Sequence, residues 1–376
     1  MLHKLRVMVG YLVAITATWL PASSYAEFKY NLPEPVSGIT RDIYSLHNLT
    51  SIVGIIIMII VTGLIVYSLV THRKSKGFEA DQHFHESWFG KWSWALVPVI
   101  VLGIDMSIAG PASKTLNKIE TYDPADVTVK VTGSQWKWTY EYMDSGVKIV
   151  SNLNRDLTPE DEFYLRDVDN PLVLPTGKRI RFLHTASDVL HAWWVPAITY
   201  KKDSIPGYIN ETWTVLDTDK EGTYRGQCAE NCGTGHAYMP IVVNVVSASA
   251  FDEFIGGQKL AMAAAAEEAS ADKIWAHEEL MKRGEEVYIK NCVACHQVTG
   301  EGIPNVFPAL KGGAITTGDL AAHKDIVLNG KQGTAMAAWS AQLNDLEIAA
   351  LITYERNAWG NNTGDTVQPA DIKAAR

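Results

Sequence analysis

The sequence predicts a multidomain membrane protein: a two-helix transmembrane hairpin, then an all-β domain, then an all-α domain. Three observations carry this expectation. Two apolar runs, about 46–70 and 92–110, are each long enough to cross a bilayer. From Val127 to Val246, short β-branched and aromatic runs are punctuated by Gly, Pro and Asp, with no helix-length periodicity. Beyond about Trp275 that pattern yields to helical stretches around 282–290 and 344–357. With 47% hydrophobic and 20% charged residues in 376, the chain is neither disordered nor fibrous.

Taken in order, Met1 to Ala26 carries basic Lys4 and Arg6 and an apolar run from Val7 to Leu20. Pro21 and the small-residue stretch Ala22-Ser23-Ser24-Tyr25-Ala26 follow. This pattern reads as a signal peptide cut after Ala26, its apolar run being short for a span. The first span has no charge, and His72, Arg73, Lys74 and Lys76 follow it directly. Trp88, Trp92 and Trp94 open the second span as an interfacial belt, and Asp105 lies inside it. The basic loop between the spans is therefore expected in the cytoplasm, and everything after about Lys114 outside. His83-Phe84-His85-Glu86 in that loop is read as solvated. A formal charge of −9 argues against a nucleic-acid partner. Expected divisions are 1–26 signal peptide, 27–113 hairpin in the lipid bilayer, 114–250 β domain, 251–274 linker, 275–362 α domain and 363–376 tail.

The β region reads as an antiparallel sandwich or small barrel. In the strand from Gln135 to Tyr142, Trp136, Trp138, Tyr140 and Tyr142 share one face, opposite Lys137, Thr139 and Glu141. Such an aromatic stripe is ordinarily a sheet core. One loop, Cys228-Ala229-Glu230-Asn231-Cys232-Gly233-Thr234-Gly235-His236-Ala237-Tyr238-Met239, holds two thiols, an imidazole and a thioether. Three readings compete: a Cys228–Cys232 disulfide, a structural zinc site, and a copper site. Met239 is dispensable for zinc and typical of copper, which favours the third. A second histidine must come from upstream, and spacing alone cannot choose between His184 and His191.

This loop, together with Ser187-Asp188-Val189-Leu190-His191-Ala192-Trp193-Trp194-Val195-Pro196, Gln135-Trp136-x-Trp138, Asp203-x-Ile205-Pro206-Gly207 and the hairpin, resembles subunit II of haem–copper cytochrome c oxidases. The resemblance spans about residues 40–248 and implies a cupredoxin-like domain. It implies that His191, Cys228, Cys232, His236, Met239 and the Glu230 carbonyl hold a binuclear CuA centre. It further implies a magnesium ion on the Glu230 side chain at the boundary with subunit I. Trp136 becomes the residue through which electrons arrive, and His184 an ordinary core histidine. Three positions depart from the family: Lys91 replaces a carboxylate at the mouth of a proton channel, with Glu86 nearby. Lys137 replaces an aromatic, and Tyr208 stands where many members have arginine.

Cys292-Val293-Ala294-Cys295-His296 is the C-x-x-C-H signature of covalent haem c attachment. A thioredoxin-like redox pair would need a βαβ context, and zinc a second cysteine pair. Met336 is the only methionine downstream and is expected as the sixth ligand. The spacing and the helix from Asn344 to Asn357 resemble a class I cytochrome c. All four cysteines are then committed to two cofactors.

The combined resemblance implies subunit II of a bacterial inner-membrane cytochrome c oxidase with a fused haem domain in the periplasm. Electrons would run from a cytochrome c donor through haem c and CuA to subunit I, which reduces oxygen and pumps protons; subunit III is a further expected partner. The rivals are a membrane-tethered carrier or copper-delivery protein outside any oxidase, and a nitrous-oxide-reductase-like module.

Overall fold

Ser37 starts the first helix by a reciprocal cap: its Oγ accepts the Thr40 N–H at 3.2 Å and Thr40 Oγ1 accepts the Ser37 N–H at 3.1 Å. The computed structural model describes residues 31–79, 81–269, 273–340 and 342–376. The expected signal peptide lies outside them.

Helix α1 runs Gly38–Thr71 and α2 Trp88–Ile119, and both are long and apolar enough to cross a membrane. Each outlasts the apolar run that predicted it, because its outer end packs on the β domain. Val36 and Ile39 are buried there, the Val36 N–H bonds Ala197 O at 3.0 Å, and Trp213 Nε1 bonds Ile119 O at 3.1 Å. Lys118 pairs with Asp42 at 2.6 Å, joining the two helices, and Arg41 pairs with Asp217. In mid-helix, Ile56, Ile59, Leu64, Val99 and Ile100 stay exposed, as lipid-facing or partner-facing side chains do.

The β domain has ten strands: β1 Val127–Ser134, β2 Lys137–Tyr142, β3 Val147–Ser151, β4 Leu172–Pro175, β5 Arg179–Ala186, β6 His191–Trp194, β7 Lys202–Ser204, β8 Asn210–Val215, β9 Gly222–Cys228 and β10 Pro240–Val246. They form two five-stranded sheets, ordered β3-β2-β1-β5-β8 and β4-β10-β9-β6-β7. The sandwich is not purely antiparallel as the sequence suggested, since β1 pairs β5 and β10 pairs β4 in parallel. The chain repeatedly leaves one sheet for the other, so strands far apart in sequence return in the same direction.

Between the sheets, Trp138, Tyr140, Tyr142, Phe182 and Trp193 are completely or almost completely buried. Each such side chain contributes about 1.5–3 kcal/mol of burial. Their polar atoms are satisfied: Tyr142 donates to Val173 O at 2.8 Å and Trp193 Nε1 to Tyr140 Oη at 3.4 Å.

The segment expected as a linker is a helix, α3 Ala248–Glu268. Its first turns belong to the β domain: Phe251 and Phe254, three residues apart on one face, stand 5.8 and 6.3 Å from the Tyr142 ring.

The helical domain comprises α4 His277–Asn291, α5 Val293–His296, α6 Leu320–Asn329, α7 Asp345–Asn357 and α8 Pro369–Lys373. Helices α4 and α7 approach at Gly284, where a Cβ would lie 2.1 Å from Ala350 O. The segment 363–376, expected as a tail, is part of this domain. Val367 and Ile372 are buried in its core, and the Gln368 amide bonds both N–H and C=O of Trp275, at 2.9 and 3.0 Å. Two isolated apolar residues in a polar stretch leave no periodicity from which to read that docking.

Phe251→Ala should destabilise the β domain by about 3 kcal/mol, the usual range for a large aromatic lost from a core. Thermal unfolding of the detergent-solubilised chain checks this, with exposed Lys259→Ala on the same helix leaving the midpoint in place.

Candidate functional site

Strand β9 ends at Cys228 and strand β10 begins at Pro240, so the loop between them is pinned at both ends by the second sheet. Within it the Cys228 and Cys232 sulfurs stand 3.9 Å apart as free thiols, well beyond the ~2.05 Å of a disulfide bond. Cys232 Sγ lies 3.4 Å from His236 Nδ1 and 3.5 Å from Met239 Sδ, and Cys228 Sγ lies 3.4 Å from Glu230 O. His191, at the start of β6, brings Nδ1 to 3.9 Å from Cys228 Sγ. Ligating atoms of His191, Cys228 and Cys232 fall within 4.8 Å of one another, the only such group among the described residues.

The fold therefore chooses between the two upstream histidines. His184 is buried in β5, bonds Thr212 Oγ1 through Nε2 at 2.8 Å, and has its titration pushed down to about 3 by burial. It is a core residue. The His83–Glu86 loop is exposed and holds no metal-ligating group of this kind.

Asp188 orients the chosen histidine. Its Oδ1 takes His191 Nε2 at 3.0 Å, leaving Nδ1 for the sulfurs, while its Oδ2 accepts the Gln135 N–H at 2.7 Å. Burial works against the charged form of His191, but the Asp188 and Cys228 hydrogen bonds outweigh it and raise its pKa. The hydrogen bond shared by the two sulfurs holds the Cys228 thiol below the ordinary range and, with burial, pushes Cys232 above it.

Two thiols, two imidazoles, a thioether and a carbonyl around a largely dry point fit a soft, redox-active metal better than zinc, for which a buried thioether is superfluous. Small residues make room for the loop. At Gly235 a Cβ would lie 2.1 Å from Trp136 Cδ2, and at Gly133 2.8 Å from His191 Cγ. Gln135 Nε2 and Trp136 Nε1 both donate to Cys232 O, at 2.9 and 3.0 Å, and Trp138 Nε1 donates to Met239 O at 3.3 Å. Of the aromatic stripe, Trp138, Tyr140 and Tyr142 form core, whereas Trp136 is half-buried beside the loop.

The helical domain encloses a cavity of about 550 Å³, lined among others by Cys292, Cys295, His296 and Met336. His296 Nδ1 bonds Pro308 O at 2.9 Å; a carbonyl only accepts, so Nδ1 carries the proton and Nε2 is left for a metal. Burial raises the Cys292 thiol and pushes Cys295 up to about 11. The C-x-x-C-H motif and the cavity it lines together fit covalently attached haem. Buried His323 and Glu355, paired at 2.9 Å, also line the cavity and carried no sequence signal.

The cavity also reaches the β domain, for Ser134, Gln135, Lys137 and Asp188 line it too. Trp136 meets Phe307 edge-on with ring centroids 6.4 Å apart, and Lys137 Nζ bonds Asn291 Oδ1 at 3.1 Å.

Residues 127–246 match the family "Cytochrome C oxidase subunit II, periplasmic domain", and residues 279–354 match "Cytochrome C oxidase, cbb3-type, subunit III". The protein named "Probable cytochrome c oxidase subunit 2" in Rickettsia bellii is 35% identical over 63% of this chain and 87% of its own length. Cytochrome c oxidase subunit 2 of Cyanidium caldarium is 36% identical over 59% of this chain and 86% of its own. The crystallised periplasmic domain of subunit II of cytochrome oxidase from Bradyrhizobium japonicum is 41% identical, covering 37% of this chain and 97% of that one, with a TM-score of 0.34.

Asp188→Asn should weaken metal binding at the two-cysteine loop by about 10–100-fold, the usual cost of losing a carboxylate behind a ligating histidine. Competition against a chelator of known affinity measures it.

Proposed function

The chain belongs to the cytochrome c oxidase subunit II family, and from that premise we propose that it is the subunit that delivers electrons to a bacterial oxidase, with a binuclear CuA centre and its own covalent haem c. The observation that carries this reading is the position of Trp136. Its Nε1 bonds the carbonyl of Cys232, and its ring lies against Phe307 at the wall of the haem-sized cavity.

In this reading His191, Cys228, Cys232, His236, Met239 and the Glu230 carbonyl hold the two coppers, and the half-buried Glu230 side chain holds magnesium against subunit I. Cys292 and Cys295 would tether the haem covalently, and His296 and Met336 would hold its iron. When bound, these groups supply the redox couples that relay electrons from a cytochrome c donor through haem and copper to subunit I, where oxygen is reduced and protons are pumped.

The chain's own residues supply the setting. Asp188 holds His191, Pro308 holds His296, and Trp136 bridges the two sites. The hairpin, about 27–113, anchors the subunit in the inner membrane beside subunits I and III, with the copper domain to about 250 and the haem domain from about 275 in the periplasm. The two spans and the family favour an oxidase subunit over a free-standing carrier or copper-delivery protein.

Metal and haem analysis of the purified chain should give two coppers and one haem c per chain, with a large polytopic subunit co-purifying from the native membrane. One zinc and no copper would overturn the CuA assignment.

Met336→His should keep the haem attached but lower its potential, because a thioether ligand raises the potential relative to imidazole. A spectroelectrochemical titration reads the shift, and an unchanged potential would remove Met336 from the axial position.

A further inference from the structure

Lys137 opens strand β2 on the face opposite Trp138 and Tyr140, where a half-exposed polar residue is expected. Instead it is only 5% exposed. What covers it is the helical domain. Its ammonium reaches Asn291 Oδ1 at 3.1 Å and lies 4.4 Å over the Trp339 ring, and it forms no ion pair among the described residues. Taking a lysine out of water this far is unfavourable, and burial pulls its titration down to about 8. A side chain that bears such a cost, and has its polar and cation–π partners only in the other domain, contributes to the contact between domains and not to its own sheet.

The positions of those partners give the contact its meaning. Asn291 directly precedes Cys292, and Trp339 comes three residues after Met336. The neighbouring Trp136 touches Phe307, which directly precedes Pro308, the residue whose carbonyl holds His296. Trp136 and Lys137, adjacent at the head of β2, thus rest against the three segments that carry Cys292, the His296-holding Pro308 and Met336.

We infer that Lys137 is a positioning residue that locks the haem-binding domain onto the copper-binding strand, holding the two redox sites at one separation and orientation. The inference rests on the proposed function, because positioning matters only if electrons cross between these sites. Electron transfer falls steeply with distance, so a fixed contact gives one fast rate where a tethered but undocked domain must first search.

The test uses the full-length, cofactor-loaded chain. Haem-to-copper exchange is followed after flash photolysis at several solvent viscosities in the parent, Lys137→Met, Lys137→Arg and Asn291→Ala. The parent rate should be first order, independent of protein concentration and insensitive to viscosity. Lys137→Met should be slower by about tenfold, the scale of one buried cation–π and hydrogen-bond contact, and should slow further as viscosity rises. Asn291→Ala should shift the rate in the same direction, and the Met/Ala double variant should be no slower than Lys137→Met alone. Lys137→Arg should recover most of the rate, since a guanidinium can stack on Trp339 and donate to Asn291. The haem spectrum, the haem potential and the copper EPR signal should be the same in all five proteins, separating loss of docking from loss of a site. A Lys137→Met rate equal to the parent's and independent of viscosity overturns the positioning role and leaves the proposed function standing. A parent chain with both cofactors and no first-order exchange overturns the function as well.

Discussion

The carbonyl oxygen of Cys232 is the point on which the outer region depends. It accepts hydrogen bonds from Gln135 Nε2 and Trp136 Nε1, and so ties the two-cysteine loop to the head of β2. The loop alone has little to shape it: it contains one short 3-10 turn and three flexible or small positions in Gly233-Thr234-Gly235. Its conformation comes from outside, from two strands of one sheet at its ends and the Trp136 indole, in the β1–β2 turn of the other sheet, against its middle. Gly235 must lack a side chain for that indole to fit, and Gly133 must lack one for His191 to fit. Remove the docking surface and the sulfurs have no reason to face the same point.

The same strand end then sets the relation between the domains. The sandwich offers Trp136 and Lys137, and the helical domain offers Phe307, Asn291 and Trp339. An aromatic edge contact and a cation over an indole are each worth roughly 0.5–2 kcal/mol, modest alone. They act on a domain whose freedom is already reduced by α3. That helix is rooted in the β core through Phe251 and meets the helical domain through the Arg283–Glu268 ion pair at 2.7 Å. An anchor in the β core at one end of the helix and an ion pair to the helical domain at the other leave less freedom to lose, so small contacts contribute more.

Much of the chemistry was legible in the sequence because it depends on local spacing. A thiol, a second thiol four residues on, an imidazole four further and a thioether three beyond must share a loop wherever the chain goes, and C-x-x-C-H is itself a fixed local spacing. The spans were legible because bilayer thickness imposes a length on any apolar run. Asp188 lay in view beside His191, yet nothing marked it as the group that turns the ring. Phe307, Asn291 and Trp339 carried no signal at all, and neither did the buried His323–Glu355 pair.

What the sequence by itself determined was the list of donors and the order of the domains, since both are properties of neighbours along the chain. What only the tertiary structure decided was which distant residues complete each site. His184 and His191 are seven residues apart and equally plausible as text, but one faces the core between Phe182 and Trp193 and the other faces the sulfurs. Lys137 alternates like a surface residue and is buried by a domain whose nearest contact, Asn291, is 154 positions away. Alternation reports only which face of a strand a side chain takes. What covers that face depends on packing between segments distant in sequence, which no local pattern encodes.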